Sequence, residues 1–139
     1  MTVGGHRRSF PTRWADNDVY GHLNNTIYYA AMDSTINSWM IDNGLLDIEG
    51  GDVLGVCAAS NCRFAASASF PDALSLELSV GRLGNTSVTW TLAISRERDG
   101  LALASGEFVH VFIDRDTRRP VPIPDDLRAA IVEQLEVAS

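Results

Sequence analysis

The sequence predicts an α+β domain in which a five-stranded antiparallel sheet wraps one long helix, with a short helix near the C-terminus. From Asn25 to about Asn43, apolar side chains recur at steps of three and four residues, which is the period of a helix. Residues 73–83 and 86–97 alternate apolar and polar side chains, as strands with one buried face do. Tight turns join the predicted strands, and strands joined in this way must be antiparallel.

Composition and charge indicate one soluble domain. A chain of 139 residues has single-domain length, so we assign residues 1–139 to one domain. The net charge is −7 and all 11 basic residues are arginine, which argues against binding to nucleic acid or to an anionic membrane. No window reaches the roughly 18 apolar residues of a membrane span, and the first residues lack the apolar run of a signal peptide. We therefore predict a cytoplasmic protein.

The two cysteines predict neither a disulfide nor a metal site. Cys57 and Cys62 lie five positions apart in one predicted strand, and this odd spacing predicts that they face opposite sides of the sheet. No cluster of Cys and His residues has the spacing of metal ligands. We predict a reducing compartment and a protein that works without metal or cofactor.

Two predicted loops flank the helix, at residues 15–24 and 45–52. Before the first loop, residues 6–14 are expected to form a short, irregular strand. Pro11 has no amide hydrogen for a ladder bond, so this strand should lie at an edge or be broken.

The helix carries its own boundary signals. Asn24 or Asn25 is the expected N-cap, because an asparagine side chain accepts from the free amides of the first turn. Gly44 follows the last periodic residue and is the expected C-cap. Asp33 and Asp42 are the only charged residues, so we expect protein to cover most of the helix.

Four longer strands follow the second loop. Residues 53–66 are apolar and rich in small side chains, and residues 101–114 are apolar on both faces, as in the interior of a sheet. Turns are predicted at the pairs Gly84-Asn85 and Asp99-Gly100.

Three prolines between residues 120 and 124 end the sheet pattern, and Asp125 and Asp126 open the C-terminal helix. The predicted apolar stripe of the last helix comprises Leu127, Ile131 and Leu135.

One long helix cannot cover a whole sheet of this size, so we expect the remaining apolar face to pair with a second copy of the chain.

The first loop contains the densest set of reactive groups. We expect Asp18 to act on a substrate, either as a general base toward water or as a nucleophile toward a carbonyl. The first amides of a helix have no internal partner, and such donors polarise a carbonyl. A carboxylate, the turn residue Gly21 and a helix start within seven residues can therefore perform acyl transfer.

The same residue types also have a purely structural interpretation. Asp and Asn before a helix are usually caps, and Gly after Asp usually marks a turn. Asp16 is expected to bond loop amides or to pair with Arg13. His22 is either an acid/base group or a brace for the loop, and Asn24 and Asn25 are expected to be caps first.

The loop and the helix start resemble a known signature. Residues 16–28 read DNDVYGHLNNTIY, which is similar to the Asp-x-Asp-x-x-Gly-His-x-Asn-Asn-x-x-Tyr signature of the hotdog-fold acyl-CoA thioesterases, the 4-hydroxybenzoyl-CoA thioesterase-like group. The similarity continues in order through residues 70–74, 82–88, 104–106 and 119–124, so it covers nearly the whole chain.

The resemblance implies a hotdog fold, a homodimer or homotetramer, and hydrolysis of an acyl-CoA to a carboxylic acid and CoA. By position in the signature, Asp18 would be the catalytic carboxylate and the backbone amide of Asn25 would polarise the thioester carbonyl. The supporting loop residues would be Asp16, Gly21, His22 and Asn24. Candidate contacts to the acyl group and to the CoA phosphates are Tyr28, Arg63, Arg82, Arg96, Arg118 and Arg119.

Other functions stay open at this point. One is a non-catalytic acyl-CoA-binding protein that kept the fold, and another is a hotdog hydratase or dehydratase, which pairs a carboxylate with a histidine such as His22. A further branch of hotdog thioesterases carries its catalytic carboxylate on the helix, where Asp33 is the only acid near the middle. The sequence determines neither the acyl group nor whether its carrier is CoA or an acyl carrier protein.

Overall fold

The computed structural model describes residues 6–45, 47 and 50–138. Its strands are β1 (His6–Pro11), β2 (Val53–Phe64), β3 (Ala73–Leu83), β4 (Ser87–Arg96) and β5 (Ala102–Asp114). Its helices are α1 (Asn25–Asp42) and α2 (Asp125–Gln134). Apart from β1, these bounds lie within two residues of the predicted ones. Of the predicted loop at 45–52, residues 46, 48 and 49 lie outside the described residues.

The described strands form one antiparallel sheet in the order β1-β3-β4-β5-β2. The long helix α1 packs on one face of this sheet, and the apolar side chains between them form the core. This arrangement confirms the predicted hotdog architecture. β5 is an interior strand, as its two apolar faces predict, whereas β1 and β2 are the edges.

The helical period places α1 on the sheet. Tyr28, Met32, Ile36 and Trp39 follow the predicted apolar stripe, and each is at most 3% exposed. Gly106 of β5 permits the close approach, because a β-carbon there would lie 2.5 Å from Sδ of Met32. The absence of a side chain at this position of β5 thus lets the middle of α1 contact the sheet.

The opposite face of α1 is not covered in the single chain. Ala30, Asp33 and Ser34 are exposed. Eleven of the 18 residues of α1 are nevertheless buried or partly buried, so protein covers most of this helix, as predicted, and leaves one face open in the single chain.

The first strand is shorter than predicted. β1 ends at Pro11, which pairs with Ala73 at the end of the ladder with β3. Residues 14–16 instead form a short 3₁₀ turn. The reason is local, since the amide and the guanidinium of Arg13 donate to the Asp16 carboxylate and not to a neighbouring strand.

A β-bulge in β2 overturns the prediction for the cysteines. The ladder with β5 shifts register between Cys57 and Ala59. Cys57 lies opposite His110 and Cys62 opposite Gly106, and these two β5 residues share one face. The expectation of opposite faces is wrong because the bulge inserts one extra residue between the cysteines. Both cysteines are free.

The C-terminal helix packs as its pattern predicts. Leu127 and Ile131 of α2 and the following Leu135 are each at most 2% exposed. The chain then runs beside β3, where the amide of Ala138 donates to the carbonyl of Val80 at 2.9 Å.

Candidate active site

The loop before α1 folds into a tight turn that begins at Asp18. The amide of Gly21 donates to the carbonyl of Asp18 at 3.1 Å, and the amide of Asp18 donates to the carbonyl of His22 at 2.8 Å. Gly21 has a φ of +81°, a conformation that residues with a side chain rarely adopt. Gly21 thus occupies the turn that the sequence predicts.

The segment that follows β2 holds this turn in place. The amide of Leu23 donates to the carbonyl of Ala68 at 2.8 Å. The hydroxyl of Ser69 donates to the carbonyl of Gly21 at 2.6 Å. The position of the loop therefore depends on the path of the chain as it leaves the edge strand.

Asp16 holds the loop in place through hydrogen bonds and is only 3% exposed. Its Oδ2 accepts from the Arg13 amide at 2.8 Å, and its Oδ1 accepts from the Arg13 guanidinium at 2.7 and 3.1 Å. These side-chain hydrogen bonds from Arg13 lower the pKa of Asp16. The Asp16 carbonyl also accepts from the Asn24 amide at 2.9 Å, so Asp16 joins the loop to the start of α1.

Asn24 caps α1, and Asn25 is the first residue of the helix. The Oδ1 of Asn24 accepts from the amide of Thr26 at 3.0 Å, which decides between the two candidate caps. Among the described residues, the amide of Asn25 has no acceptor. An unpaired amide at the positive end of a helix dipole is a suitable donor to a carbonyl oxygen.

Asp18, the helix start and the segment after β2 surround a cleft of about 430 Å³. In this cleft, Oδ1 of Asp18 accepts from the amides of Tyr20 at 2.9 Å and His22 at 3.4 Å. Its Oδ2 accepts no hydrogen bond from the described residues, so one oxygen is left for a substrate or a water molecule. The lining residues are Asp18, His22, Leu23, Asn24, Asn25, Tyr28, Phe64, Ala65, Ala66 and Ser67.

Two aromatic rings meet on the apolar side of the cleft. Tyr28 of α1 and Phe64 of β2 pack edge to face, with ring centroids 5.1 Å apart and an interplanar angle of 83°. Tyr28 is 3% exposed and Phe64 is 51% exposed. Burial raises the pKa of the Tyr28 phenol, so the phenol stays protonated at neutral pH.

Sequence reasoning missed the wall formed by Phe64 and residues 65–67. The amides of Ala65 and Ala66 both donate to the carbonyl of Leu103, at 2.7 and 3.2 Å, which turns the chain away from the edge of the sheet. The run of small residues that follows Phe64 was a usable signal, because small side chains leave room beside a helix start.

His22 and Asp33 are placed very differently. His22 is exposed and lines the cleft, and its ring has no hydrogen-bond partner in the part of the chain that the structure describes. Asp33 is exposed on α1 and does not line the cleft; its Oδ1 accepts from Nδ2 of Asn37 at 3.1 Å. The structure therefore does not bring the two carboxylates Asp18 and Asp33 together.

The arginines expected near the CoA phosphates are scattered. Arg63 lies opposite the exposed Ser105, on the face of the sheet away from α1. Arg96 donates to both carboxylate oxygens of Asp99, at 3.0 and 2.6 Å. None of the described arginines lines the cleft. The remaining candidates, which also lie outside it, are Arg82, Arg118 and Arg119.

Comparison with known proteins identifies the family. A family model for the thioesterase-like superfamily matches residues 12–131. The chain belongs to this superfamily. The PA5185 protein of Pseudomonas aeruginosa is 44% identical, with 99% of this chain and 96% of that chain covered and a TM-score of 0.90. The PA2801 protein of the same species, whose thioesterase assignment is provisional, is 31% identical, with 91% and 97% covered and a TM-score of 0.85.

Membership makes this thioesterase-like protein a thioester hydrolase. Slr0204, a 1,4-dihydroxy-2-naphthoyl-CoA thioesterase from Synechocystis, shares the fold with a TM-score of 0.87 at 22% identity, with 94% of this chain and 97% of that chain covered. No curated protein matches the chain. Within the described residues, neither helix is long and apolar enough to cross a membrane.

Proposed function

We propose that this thioester hydrolase is an acyl-CoA thioesterase whose chemistry is performed by Asp18 and by the backbone amide of Asn25. The observation that carries the proposal is that both groups line one cleft, each with hydrogen-bonding capacity that the described residues leave unused. The Asn25 amide donates to the thioester carbonyl oxygen, where negative charge develops, and one such donor contributes roughly 3–4 kcal/mol in the transition state.

Asp18 acts in one of two ways. As a general base it accepts a proton from water, which adds to the carbonyl carbon; the C–S bond then breaks and the CoA thiolate takes up the proton. As a nucleophile it attacks the carbonyl carbon and expels the CoA thiolate, and water hydrolyses the resulting anhydride. Label found in the Asp18 carboxylate after a single turnover in water labelled with oxygen-18 identifies the nucleophilic route, because a general base forms no bond to the oxygen of water.

The acyl group extends toward Tyr28 and Phe64, the apolar side of the cleft. The Synechocystis neighbour acts on a CoA thioester with an aromatic acyl group, which supports CoA as the carrier. The acyl class is a question for experiment, since a cleft of about 430 Å³ accommodates several.

A thiol-release assay with short, long, branched and aromatic acyl-CoAs tests the proposal. We expect at least one member of the panel to release CoA with normal enzymatic turnover. Tight binding of acyl-CoA without release would contradict the proposal and indicate a binding protein. Hydration of an enoyl-CoA without thiol release would indicate a hydratase.

A further inference from the structure

The turn that carries Asp18 is exposed, so packing against the core does not determine its position. Val19 is 93% exposed and Tyr20 is 82% exposed. The hydrogen bonds within the turn, which join Asp18 to Gly21 and to His22, fix its shape. They do not fix its place relative to the start of α1, because they join neighbouring residues of one segment. The turn therefore needs hydrogen bonds to another part of the chain.

Two hydrogen bonds that involve side chains attach the turn to the connection between β2 and β3. The hydroxyl of Ser69 donates to the carbonyl of Gly21 at 2.6 Å. The amide of Phe70 donates to Oδ1 of Asn17 at 3.0 Å. Asn17 directly precedes Asp18, and Gly21 follows Asp18 three positions later. The segment that carries the carboxylate is thus held on both sides of Asp18 by adjacent residues of the connection.

The same connection also holds the end of the loop, just before α1. The amide of Leu23 donates to the carbonyl of Ala68 at 2.8 Å, and these residues are only 5% and 3% exposed. Leu23 lies two positions before the first residue of α1. In the part of the chain that the structure describes, residues 68–70 make every hydrogen bond between residues 17–23 and a distant segment. These three residues therefore locate the Asp18 turn relative to the helix start.

The connection is itself attached to the fold at both ends. At its start, the amides of Ala65 and Ala66 donate to the carbonyl of Leu103. At its end, Oδ1 of Asp72 accepts from Nε of Arg98 at 3.0 Å. Reacting groups keep their geometry only when the residues that support them are held in place themselves. The connection meets this condition, so it is a suitable support for a catalytic carboxylate.

We propose, on the basis of the thioesterase function above, that Ser69 and Asn17 are positioning residues for the reaction. Their hydrogen bonds hold the Asp18 carboxylate in place relative to the Asn25 amide, so that both groups reach one thioester carbonyl. Neither Ser69 nor Asn17 lines the cleft, so they act on the rate and not on the affinity for substrate. A displacement of a reacting group by about 1 Å can lower a rate about a hundredfold.

The first test is the variant Ser69→Ala, which removes the hydrogen bond to Gly21 and leaves the lining of the cleft intact. It should lower kcat for an acyl-CoA by about tenfold or more and leave KM unchanged. Asn17→Ala removes the acceptor of the Phe70 amide and should have the same effect on both constants. Thiol-release kinetics measure kcat and KM for each variant.

Thr12→Ala is the matched control. The Thr12 hydroxyl donates to the carbonyl of Asp72, at the other end of the same connection, and Thr12 does not line the cleft. Loss of this hydrogen bond should leave kcat at the wild-type value. The proposal is overturned by an unchanged kcat in Ser69→Ala or Asn17→Ala, by an equal loss in Thr12→Ala, or by a rise in KM that matches the fall in kcat.

The second test asks whether Ser69 acts through Asp18. Ser69→Ala is combined with Asp18→Asn, and thiol release is measured for the wild type, both single variants and the double variant. If Ser69 only positions the carboxylate, its substitution should not lower the residual activity of Asp18→Asn any further. An equal fold-loss in both backgrounds overturns the proposal. A wild-type protein that releases no CoA would refute the function itself, whereas an active wild type with multiplicative losses refutes only the positioning role.

Discussion

Two carboxylates of one loop, Asp16 and Asp18, occupy contrasting surroundings. Asp16 is 3% exposed, and both of its oxygens accept hydrogen bonds from Arg13. Asp18 lines an open cleft and uses Oδ1 to accept from two loop amides, which leaves Oδ2 unengaged by the described residues. The loop thus uses one carboxylate to hold its shape and presents the other to solvent. Neighbouring donors, more than residue type, separate the two roles.

The largest effect is expected for Asp18→Asn. An asparagine oxygen still accepts from the Tyr20 and His22 amides, so the turn should persist, but an amide neither takes a proton nor attacks a carbonyl. We expect kcat to fall by about a hundredfold or more, with a much smaller change in KM. Thiol-release kinetics measure both values. Near wild-type turnover in this variant would remove Asp18 from the proposed mechanism.

Substitution of Asp16 should lower the stability of the protein more than its turnover. Asp16→Asn weakens a buried set of hydrogen bonds, and we expect the free energy of unfolding to fall by about 2 kcal/mol. The loss of kcat should be smaller than for Asp18→Asn, because Asp16 does not line the cleft. Urea denaturation and thiol-release kinetics on the same preparations give the comparison. A large drop in kcat at unchanged stability would show that the division between the two residues is wrong.

The contribution of Asp16 to the stability of the protein should depend on pH. Hydrogen bonds from Arg13 lower the pKa of Asp16 from 3.8, so the folded protein binds this proton less readily than the unfolded chain. The contribution of Asp16 to stability is therefore present above pH 3.8 and lost as the pH falls through the lowered value. Urea titrations at pH 7 and below pH 4 should show a smaller acid-induced loss in Asp16→Asn than in the wild type. Equal losses would contradict this account.

Local patterns explain why much of the fold and part of the site could be predicted. The alternation in residues 73–83 and the cap and turn residues around Asp18 depend on short-range preferences. The features that the sequence did not predict depend on long-range pairing between strands. Phe64 reaches Tyr28 only because β2 pairs with β5, and nothing in the sequence around Ala58 marks the bulge that turns both cysteines to one face.

The smallest effect on kcat is expected for a substitution at Gly21, in the turn that follows Asp18. Gly21 and Gly100 both have positive φ, +81° and +73°, and a β-carbon at either position would meet no atom within 4 Å. Alanine at either position should therefore cost about 1 kcal/mol of stability, from backbone strain alone. Gly21→Ala should also lower kcat by about tenfold, because a small displacement of Asp18 from the helix start misaligns the reacting groups.

Gly100→Ala is the matched control, since its turn joins β4 and β5 and does not line the cleft. It should reproduce the loss of stability while kcat stays at the wild-type value. If the two variants lose kcat equally, the effect of Gly21→Ala reflects general destabilisation, and the turn has no special part in placing Asp18. If only Gly21→Ala loses activity, the strain acts by displacing the Asp18 carboxylate in the cleft, and the turn positions this carboxylate for the reaction.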